Sequence, residues 1–566
     1  MAISVHSDGR LVTISGSGIT LLKAKSDITK IAGLNAINSI NRNTFTAPIP
    51  AYLRYKEGVS GEISEEADSA LIIAKAAEAL SNHIEAKSKV LEVIESGHCI
   101  TGNEHWDNLL DPHQGIAANV MSMQGLAGMC LFDEQGTGKT ISALAAFDIL
   151  SKRQEVNAVL ILAPKTLLDN WKSEVSKFLP DSPVMTSISG NKVARYSQLN
   201  SKADIYLATY ETLNSELILF ESLAKIRKFL LIVDESFFVK NPEATRSVSV
   251  ELFRRSCVRA LILCGTPAPN SPADLIHQFN LSDNGYSFGE NEPPKDPEML
   301  REYVEQVIET RGVYLRRTKD VVLPGLAEKK FHVIPVNMQP VQEALYNEAK
   351  KELILFLRSL DNRTFKRNLT SYFQKRAALL QICVSPKLID HLITEEPSKY
   401  LALDELLKTE ILMKGHKVVI WSVYTKTIDA LIHRYQSYFP VRVDGKVTDI
   451  AVRQSMVEKF QNDPNTMLFI GNPAAAGAGI TLHASHVAIY ISFSNQAAHY
   501  MQSLDRIHRR GQVSDSVDYY FLICKNSIEQ NELDRLCSKQ KTQSELLGDI
   551  PKDEFSLEAA LREIKT

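Results

Sequence analysis

The sequence predicts an α/β protein in which two lobes, each a parallel sheet flanked by helices, follow one another along the chain. Three observations lead to this prediction. The 566 residues are too many for one hydrophobic core. Two serial sets of short apolar runs lack polar alternation, which is typical of parallel strands buried on both faces. Helical protrusions and a small mixed N-terminal module complete the predicted architecture.

The strand predictions come from apolar runs of three to six residues rich in Val, Ile and Leu. The first set comprises 158–163, 204–209, 229–234 and 259–264, and the second comprises 417–421, 441–443, 467–470, 487–491 and 518–523. We therefore divide the chain into an accessory module (1–105), a first lobe with a helical protrusion (106–335), a helical protrusion or linker (336–400), a second lobe (401–526) and a C-terminal helical brace (527–566).

The accessory module carries local structural signals but no recognised catalytic pattern. Asp8-Gly9 stands between short alternating stretches, which predicts a hairpin. Residues 64–97 are predicted to form one long helix, with Ser64 as its N-cap and Gly97 as its stop. A packing accessory and a DNA-binding or partner-binding module remain equally open interpretations.

Composition bounds the possible functions. Hydrophobic residues make up 44% and charged residues 23% of the chain, and the formal net charge is −3. A passive nucleic-acid coat would be strongly basic, so any DNA contact must come from a local basic groove. The seven cysteines show no CxxC pair, and no run of about 18 apolar residues occurs. We expect a cytoplasmic protein with reduced thiols and no membrane span.

A glycine-rich segment, DEQGTGKT, predicts a phosphate-binding loop followed by a helix. Its residues are Asp133, Glu134, Gln135, Gly136, Thr137, Gly138, Lys139 and Thr140. The glycines permit a tight loop whose N–H groups wrap phosphate oxygens, Lys139 supplies positive charge, and the Thr140 hydroxyl suits a Mg²⁺ ligand. The strict pattern has Gly at position 133, so a chance glycine turn is the alternative interpretation of this segment alone.

An acidic pair ends the apolar run 229–234. Carboxylates at the end of a buried strand are costly unless they meet a cation. Asp234 is therefore predicted to be a Mg²⁺ partner, and Glu235 the carboxylate that orients or activates the attacking water. Together with the glycine-rich loop, the pair predicts that ATP and Mg²⁺ are bound, with Lys139 among the catalytic groups.

Residues 108–530 resemble helicase superfamily two and, within it, the Swi/Snf-type DNA translocases. In the first lobe the resemblance implies an adenine-reading amide at Gln114, DNA-tracking or coupling residues at Lys165, Asn170, Trp171, Thr209 and Tyr210, and a coupling motif with Gly265, Thr266 and Asn270. Residues 316–319 (RRTK) match a stretch particular to the Swi/Snf branch. In the second lobe, 476–482 resembles a motif whose small residues let the backbone approach a phosphate or the nucleotide closely. The resemblance implies a nucleotide contact at Gly479 and a DNA-binding or coupling role for Thr481.

Residues 502–512 (QSLDRIHRRGQ) are the most specific string of the second lobe. Arg506 and Arg509 lie three apart, so on a helix they would share one face. Such a pair is suited to reach a γ-phosphate bound at the other lobe, with Gln502 positioning it. A solvated basic helix is the alternative interpretation.

The resemblance implies two RecA-like lobes, a DNA-stimulated ATPase, and movement on double-stranded or branched DNA in the nucleoid. Protein partners of the N-terminal module are also open. Two alternatives remain: a strand-separating helicase, and a nucleotide-gated scaffold without productive turnover. Three departures stand out. Phe237 replaces the family's His, Cys264 replaces its Thr, and 494–496 (SNQ) stands where Trp-Asn-Pro is usual.

Overall fold

A computed structural model describes most of the chain. The described residues are 3–7, 11–32, 37–58, 63–268, 271–288, 293–323, 325–475, 480–493 and 497–534. The chain divides into two compact units, one ending at Val322 and the other beginning at Leu323. Among the described residues, no helix combines the length and the apolar character needed to cross a membrane.

The accessory module is a five-stranded mixed sheet with two helices packed on it and a long helix leading out. Its elements are β1 (Ile3–Ser7), β2 (Leu11–Ser15), α1 (Gly18–Ala32), β3 (Asn38–Asn41), β4 (Thr44–Pro48), α2 (Ile49–Glu57), β5 (Ile63–Glu65) and α3 (Ala67–Ser96). The strand order is β3-β4-β2-β1-β5. β1 and β2 pair antiparallel, which confirms the predicted hairpin, although its Asp8-Gly9 turn lies outside the described residues.

The long helix begins later than predicted and ends where predicted. Ser64 pairs with Ser4 of β1 within strand β5, and Glu66 is the N-cap residue of α3, so the prediction of Ser64 as N-cap is wrong. A non-local parallel pairing overrides the local capping signal here. Gly97 ends α3 in the left-handed region (φ 66°), as a C-terminal glycine is expected to do.

Helix α3 fastens the accessory module to the first lobe. The imidazole of His83 accepts a hydrogen bond from the backbone N–H of Ala127 at 3.2 Å, and its ring packs against the ring of Tyr286. Lys87 donates to the backbone carbonyl of Glu309 at 3.1 Å. The module therefore has a defined seat on the first lobe.

The first lobe is a seven-stranded parallel sheet with helices between its strands. Its elements are α4 (Glu104–Leu109), α5 (Pro112–Met121), β6 (Gly128–Leu131), α6 (Lys139–Lys152), β7 (Ala158–Leu162), α7 (Leu168–Phe178), β8 (Met185–Ser187), α8 (Lys192–Leu199), β9 (Ile205–Ala208), α9 (Tyr210–Ala224), β10 (Phe229–Asp234), α10 (Thr245–Arg254), β11 (Arg259–Leu263), α11 (Ala273–Asp283), α12 (Pro297–Arg311), β12 (Tyr314–Leu315) and α13 (Lys319–Val322).

The strand order of this sheet is β12-β6-β11-β10-β7-β9-β8. All four predicted strands of the lobe are confirmed to within one residue at each end, whereas β6, β8 and β12 were not predicted. Because β6, β11 and β10 are neighbours and parallel, their carboxyl ends meet at one edge of the sheet. That edge receives the glycine-rich loop, the coupling segment and the acidic pair.

The second lobe is a six-stranded parallel sheet of order β13-β18-β17-β14-β16-β15. Its elements are β13 (Glu328–Val336), α14 (Pro340–Arg358), α15 (Asn362–Arg367), α16 (Leu369–Val384), α17 (Ser398–Leu407), β14 (Val418–Trp421), α18 (Thr425–Arg434), β15 (Val441–Val443), α19 (Ile450–Asn462), β16 (Leu468–Gly471), β17 (Val487–Tyr490), α20 (Ala497–Leu504) and β18 (Ser516–Cys524). All five predicted strands of this lobe are present.

Strand β13 corrects the predicted boundary between the lobes. It pairs in parallel with β18 over nine residues, from Glu328 opposite Ser516 to Val336 opposite Cys524. The stretch up to residue 335 was assigned to the first lobe, but the chain divides near residue 322. An edge strand of sequence EKKFHVIPV has no continuous apolar run, so only its pairing reveals it. Most of the predicted C-terminal brace (527–566) lies outside the described residues.

Candidate active site

The glycine-rich loop connects β6 to α6 and has the backbone that its sequence predicts. Gly136 and Gly138 both have φ 86°, in the left-handed region that favours glycine. A Cβ on Gly138 would lie 2.2 Å from Nε2 of Gln114. Helix α6 begins at Lys139, so the loop presents backbone N–H groups at a helix N-terminus. Such a cradle fits the phosphates of a nucleotide.

Lys139 and Thr140 occupy the first turn of α6. The Lys139 ammonium donates to the backbone carbonyls of Asp133 at 2.8 Å and Glu134 at 3.2 Å, so it lies against the loop. Thr140 is partly exposed in the same turn. A cation and a hydroxyl beside a ring of N–H groups suit an anionic, metal-bearing ligand.

Arg317 explains why Asp133 stands where the strict pattern has glycine. The Arg317 guanidinium donates to both carboxylate oxygens of Asp133, at 3.1 and 2.5 Å, and to the backbone carbonyl of His113 at 2.9 Å. The backbone N–H of Lys319 donates to the Glu134 carboxylate at 2.8 Å. The branch-specific stretch 316–319 is thus a clamp on the loop.

Gln114, the predicted adenine-reading amide, supports the loop in this structure. Its Nε2 donates to the backbone carbonyl of Thr137 at 3.0 Å, and its Oε1 accepts the N–H of Asp111 at 3.0 Å. The ring of His113 also contacts the Thr137 carbonyl, at 2.8 Å. The start of α5 therefore fixes the centre of the loop, and the adenine contact stays a prediction.

The acidic pair stands at the end of β10 in a strained backbone. Glu235 has φ 54° and ψ 52°, a left-handed conformation that is uncommon for a residue with a side chain. The Asp234 carboxylate accepts hydrogen bonds from the indole Nε1–H of Trp171 at 2.8 Å and from the N–H of Glu235 at 2.9 Å. Desolvation and the charge of Glu235 raise the pKa of Asp234. A bound cation would offset both effects.

The Glu235 carboxylate is buried, and only one of its two oxygens has a hydrogen-bond partner among the described residues. Its Oε1 accepts a hydrogen bond from Nε2 of Gln135 at 2.7 Å, whereas Oε2 has no partner among the described residues. A buried carboxylate oxygen without a donor is costly. This unpaired oxygen, beside Asp234 and near the loop, therefore fits a site that binds a metal-bound or reacting polar group.

Two residues predicted to track DNA are buried against the acidic pair instead. Trp171 is fully buried on α7, and Tyr210, 2% exposed at the start of α9, donates through its hydroxyl to the backbone carbonyl of Asp234. Both side chains are buried here, and their role in DNA tracking or coupling stays a prediction. Lys165 and Asn170 are exposed on the neighbouring turn. Thr209 caps α9 by accepting the N–H of Thr212 at 3.2 Å.

The coupling segment follows β11 and touches the loop. A Cβ on Gly265 would lie 2.5 Å from Cγ of Gln135, so the backbone of the segment packs directly on that side chain. Thr266 is 4% exposed, and its hydroxyl has no partner among the described residues. Asn270 lies outside the described residues. Cys264 stands where the family has Thr. Burial raises the pKa of its thiol to about 12, which keeps the thiol protonated and unreactive.

The predicted arginines of the second lobe converge on one segment, although not from a helix. Arg506 donates to the Ile480 carbonyl at 3.3 Å, and Arg509 donates to the Thr481 hydroxyl at 2.9 Å. The shared-helix-face prediction is wrong because α20 ends at Leu504.

A non-local hydrogen bond coincides with the end of α20. The Leu504 carbonyl accepts the Tyr519 hydroxyl at 2.6 Å. Gln502 is buried within α20, and Gly479 lies outside the described residues.

Sequence reasoning missed one residue, Gln278, and several of the contacts that build this site. The loop clamp by Arg317 and the hydrogen bond from Gln135 to Glu235 join positions 184 and 100 residues apart, respectively. Gln278, described below, carried no signal at all because it lies in an ordinary amphipathic stretch. The match of residues 316–319 to the family, which includes Arg317, was the sequence signal that pointed to the loop clamp.

Comparisons with known proteins agree with this architecture. A model of the SNF2-related domain matches residues 112–388, and a model of the helicase conserved C-terminal domain matches residues 398–511. An uncharacterized ATP-dependent helicase of Mycoplasma pneumoniae is 28% identical over 433 residues, which are 74% of this chain and 40% of that protein. The DNA repair and recombination protein RAD54 of Saccharomyces cerevisiae is 25% identical over 492 residues, 74% of this chain and 53% of that protein.

A solved structure, the Sulfolobus solfataricus SWI2/SNF2 ATPase core in complex with dsDNA, covers 77% of this chain and 96% of its own, with 22% identity and a TM-score of 0.36. The chain spans about two fifths to one half of the length of the two curated relatives above. Fold and site define an ATP-hydrolysing enzyme with two RecA-like lobes. The chain belongs to the Swi/Snf-type ATPases of helicase superfamily two.

Proposed function

We propose that this protein hydrolyses ATP in a reaction stimulated by double-stranded DNA, moves along that DNA, and thereby remodels branched DNA or protein–DNA complexes. The observation that carries the proposal is the bonding of Asp234. Its carboxylate is held by Trp171 of α7 and its backbone carbonyl by Tyr210 of α9. Both helices begin in the segments whose sequence resembles DNA-tracking motifs.

At the nucleotide end, the described residues divide the work. The loop N–H groups and Lys139 bind the phosphates, and Thr140 with Asp234 would hold Mg²⁺. When bound, Mg²⁺ supplies positive charge that neutralises the phosphate oxygens. Glu235 orients the attacking water through Oε2, since Oε1 is held by Gln135. In the second lobe, Arg506 and Arg509 have the role of stabilising the negative charge of the γ-phosphate.

At the DNA end, the exposed side chains flank the buried ones. Lys165 and Asn170 are exposed and lie within seven residues of Trp171 in the sequence. A DNA phosphate bound by them would be linked to the acidic pair through Trp171, which donates to Asp234. Contacts of this kind are made to the sugar–phosphate backbone and carry no sequence information. A change at Asp234 on hydrolysis would therefore alter the grip on DNA whatever its sequence.

The relatives are consistent with a DNA substrate. The yeast relative is named for DNA repair and recombination, and the Mycoplasma relative for ATP-dependent helicase activity. Both names apply to longer proteins, so branched DNA and protein–DNA complexes enter only as parts of this proposal. Protein partners of the accessory module belong to it as well.

The test is ATP turnover without DNA and with single-stranded, duplex and forked DNA, using Glu235→Gln as the control. Strong stimulation by duplex or forked DNA that is absent in the control is the expected result. Displacement of a third strand from a triplex-bearing duplex then measures movement. Stimulation by single strands alone would instead favour a strand-separating helicase, and turnover equal to that of the control under every condition would favour a nucleotide-gated scaffold.

A further inference from the structure

Gln278 of helix α11 joins two segments of the candidate active site. Its side chain has no exposed surface. Its Oε1 accepts a hydrogen bond from the Ser236 hydroxyl at 2.5 Å, and its Nε2 donates to the backbone carbonyls of Pro267 and Asp274, both at 2.6 Å. Ser236 directly follows Glu235, and Pro267 belongs to the coupling segment. One side chain therefore connects the acidic pair to that segment.

The chemistry of this connection requires an amide. The Ser236 hydroxyl needs an acceptor and the two carbonyls need a donor, and a glutamine side chain offers both. A carboxylate would place a buried charge against two carbonyl oxygens, and an apolar side chain would leave buried polar groups unpaired. The orientation of the Gln278 amide is therefore dictated by its partners.

The side chain of the residue beside Ser236 makes no such connection, although its backbone N–H is a hydrogen-bond partner of the Cys264 thiol. Phe237 stands where the resemblance expects a histidine, and its ring stacks on that of Phe238 with centroids 4.4 Å apart. A second bond ties α11 to the same stretch, because Lys240 donates to the Asp274 carboxylate at 2.7 Å. Helix α11 is thus bonded on both sides of the turn that follows the acidic pair.

The loop side of the site completes the chain of contacts. Gln135 donates to the Glu235 carboxylate and packs on the backbone of Gly265. A displacement of Glu235 must move Ser236, since the two share one rigid, planar peptide unit. Ser236 in turn moves with Gln278, because that hydrogen bond is buried where water cannot replace it.

We propose that Gln278 is a positioning residue that transmits the nucleotide state of Glu235, through Ser236, to the coupling segment at 265–267. The proposal rests on the proposed ATPase function, which it deepens by naming how the acidic pair is linked to the coupling segment. The hydrogen bonds of the Gln278 side chain described above go to Ser236, Pro267 and Asp274 and not to Lys139 or Asp234, so Gln278 acts through Ser236.

The chain offers a matched control in the second lobe. Gln342 also has no exposed surface, accepts the Ser398 hydroxyl at 2.8 Å, and donates to the backbone carbonyls of Ile382 and Cys383 at 2.7 and 3.1 Å. Gln342→Met therefore removes the same kinds of hydrogen bond as Gln278→Met from an equally buried place, and in addition the one that Gln342 accepts from the backbone N–H of Ser398 at 3.1 Å. A purely structural role predicts that each variant loses a similar amount of stability in its own lobe.

The measurement is amide hydrogen exchange in residues 264–268 of the full chain, with and without Mg²⁺ and a non-hydrolysable ATP analogue. Nucleotide is expected to slow exchange in the wild type and in Gln342→Met. In Gln278→Met the slowing should be about tenfold smaller, equivalent to about 1.4 kcal/mol of lost coupling, while nucleotide affinity changes less than threefold. Ser236→Ala should reproduce the loss, and the double variant should add nothing to it.

Several outcomes would overturn the proposal: equal slowing in wild type and Gln278→Met, no slowing in the wild type, or additive losses in the double variant. If Gln278→Met does not fold, Ser236→Ala removes a single hydroxyl and decides the same question. DNA stimulation of turnover is measured in parallel. Its absence in the wild type would contradict the proposed function, whereas the exchange readout judges Gln278 without any DNA.

Discussion

Replacing Arg317 with methionine is expected to destabilise the first lobe and loosen the phosphate-binding loop. The Asp133 side chain is 3% exposed and the Arg317 side chain 16%. The substitution keeps the unbranched, flexible start of the side chain and removes the guanidinium group with its charge. It leaves the Asp133 carboxylate buried without a counter-charge, and it also removes the donor to the His113 carbonyl.

The magnitude follows from the burial of the pair. At about 4 Å and an effective dielectric constant near 20, two unit charges attract by about 4 kcal/mol before desolvation is counted. Removing one partner of a buried pair costs about 3–5 kcal/mol, because the other charge stays buried. Arg317 retains some solvent contact, so we expect about 3 kcal/mol. In a lobe of this size, that lowers Tm by roughly 6–12 °C.

The assay combines thermal unfolding with nucleotide binding. Unfolding of the first lobe is followed by the fluorescence of Trp106 and Trp171, both of which are fully buried there. Nucleotide affinity should also fall, because the Asp133 backbone carbonyl is a hydrogen-bond partner of Lys139. A second variant, Arg317→Met with Asp133→Asn, removes the stranded charge and should recover about half of the lost stability.

A change in stability of less than about 0.5 kcal/mol for Arg317→Met, the range of ordinary surface substitutions, would refute the reasoning. It would mean that the Asp133 carboxylate is hydrated and does not depend on Arg317. Equal stabilities of the single and double variants would be equally damaging, since the argument depends on an uncompensated charge rather than on lost packing.

Three further predictions concern the loop, the accessory module and the second lobe. Gly138→Ala should weaken nucleotide binding at least tenfold in a titration, because its Cβ would lie 2.2 Å from the Gln114 amide at φ 86°; unchanged affinity would contradict this. Burial lowers the pKa of His83 to about 4, below its value near 6.5 in the unfolded chain. The neutral imidazole therefore contributes fully to the free energy of unfolding above pH 6.5. As the pH falls toward 4 this contribution is lost, which lowers the free energy of unfolding by roughly 3 kcal/mol. Unfolding measured across this range should lose that dependence in His83→Gln. Lys399→Met should destabilise the second lobe by about 3–5 kcal/mol in denaturant titrations, because Glu529, bonded to it at 2.7 Å, is 2% exposed, whereas adding Glu529→Met should restore most of the loss.

The sequence by itself determined nine of the parallel strands of the two lobes and predicted the chemistry of the nucleotide site. Strands such as β10 and β14 are buried on both faces, so their apolar runs are visible without knowledge of their neighbours. The glycine-rich loop and the acidic pair are short segments whose backbone and charge requirements are local. Gly138 takes its left-handed conformation, and α6 begins at Lys139, as the pattern predicts.

Tertiary structure alone decided how distant segments meet. Ser64 is a strand residue because it pairs with β1, the last residue of α20 accepts the Tyr519 hydroxyl, and Trp171 turns inward, where Asp234 accepts its indole N–H. Each of these outcomes depends on a partner at least 15 residues away. The local sequence indicates which hydrogen bonds and contacts a residue is able to make. The packing of the whole lobe decides which of the possible partners it meets. Gln278 shows this most clearly, since its role exists only where Ser236 and Pro267 come within reach of one side chain.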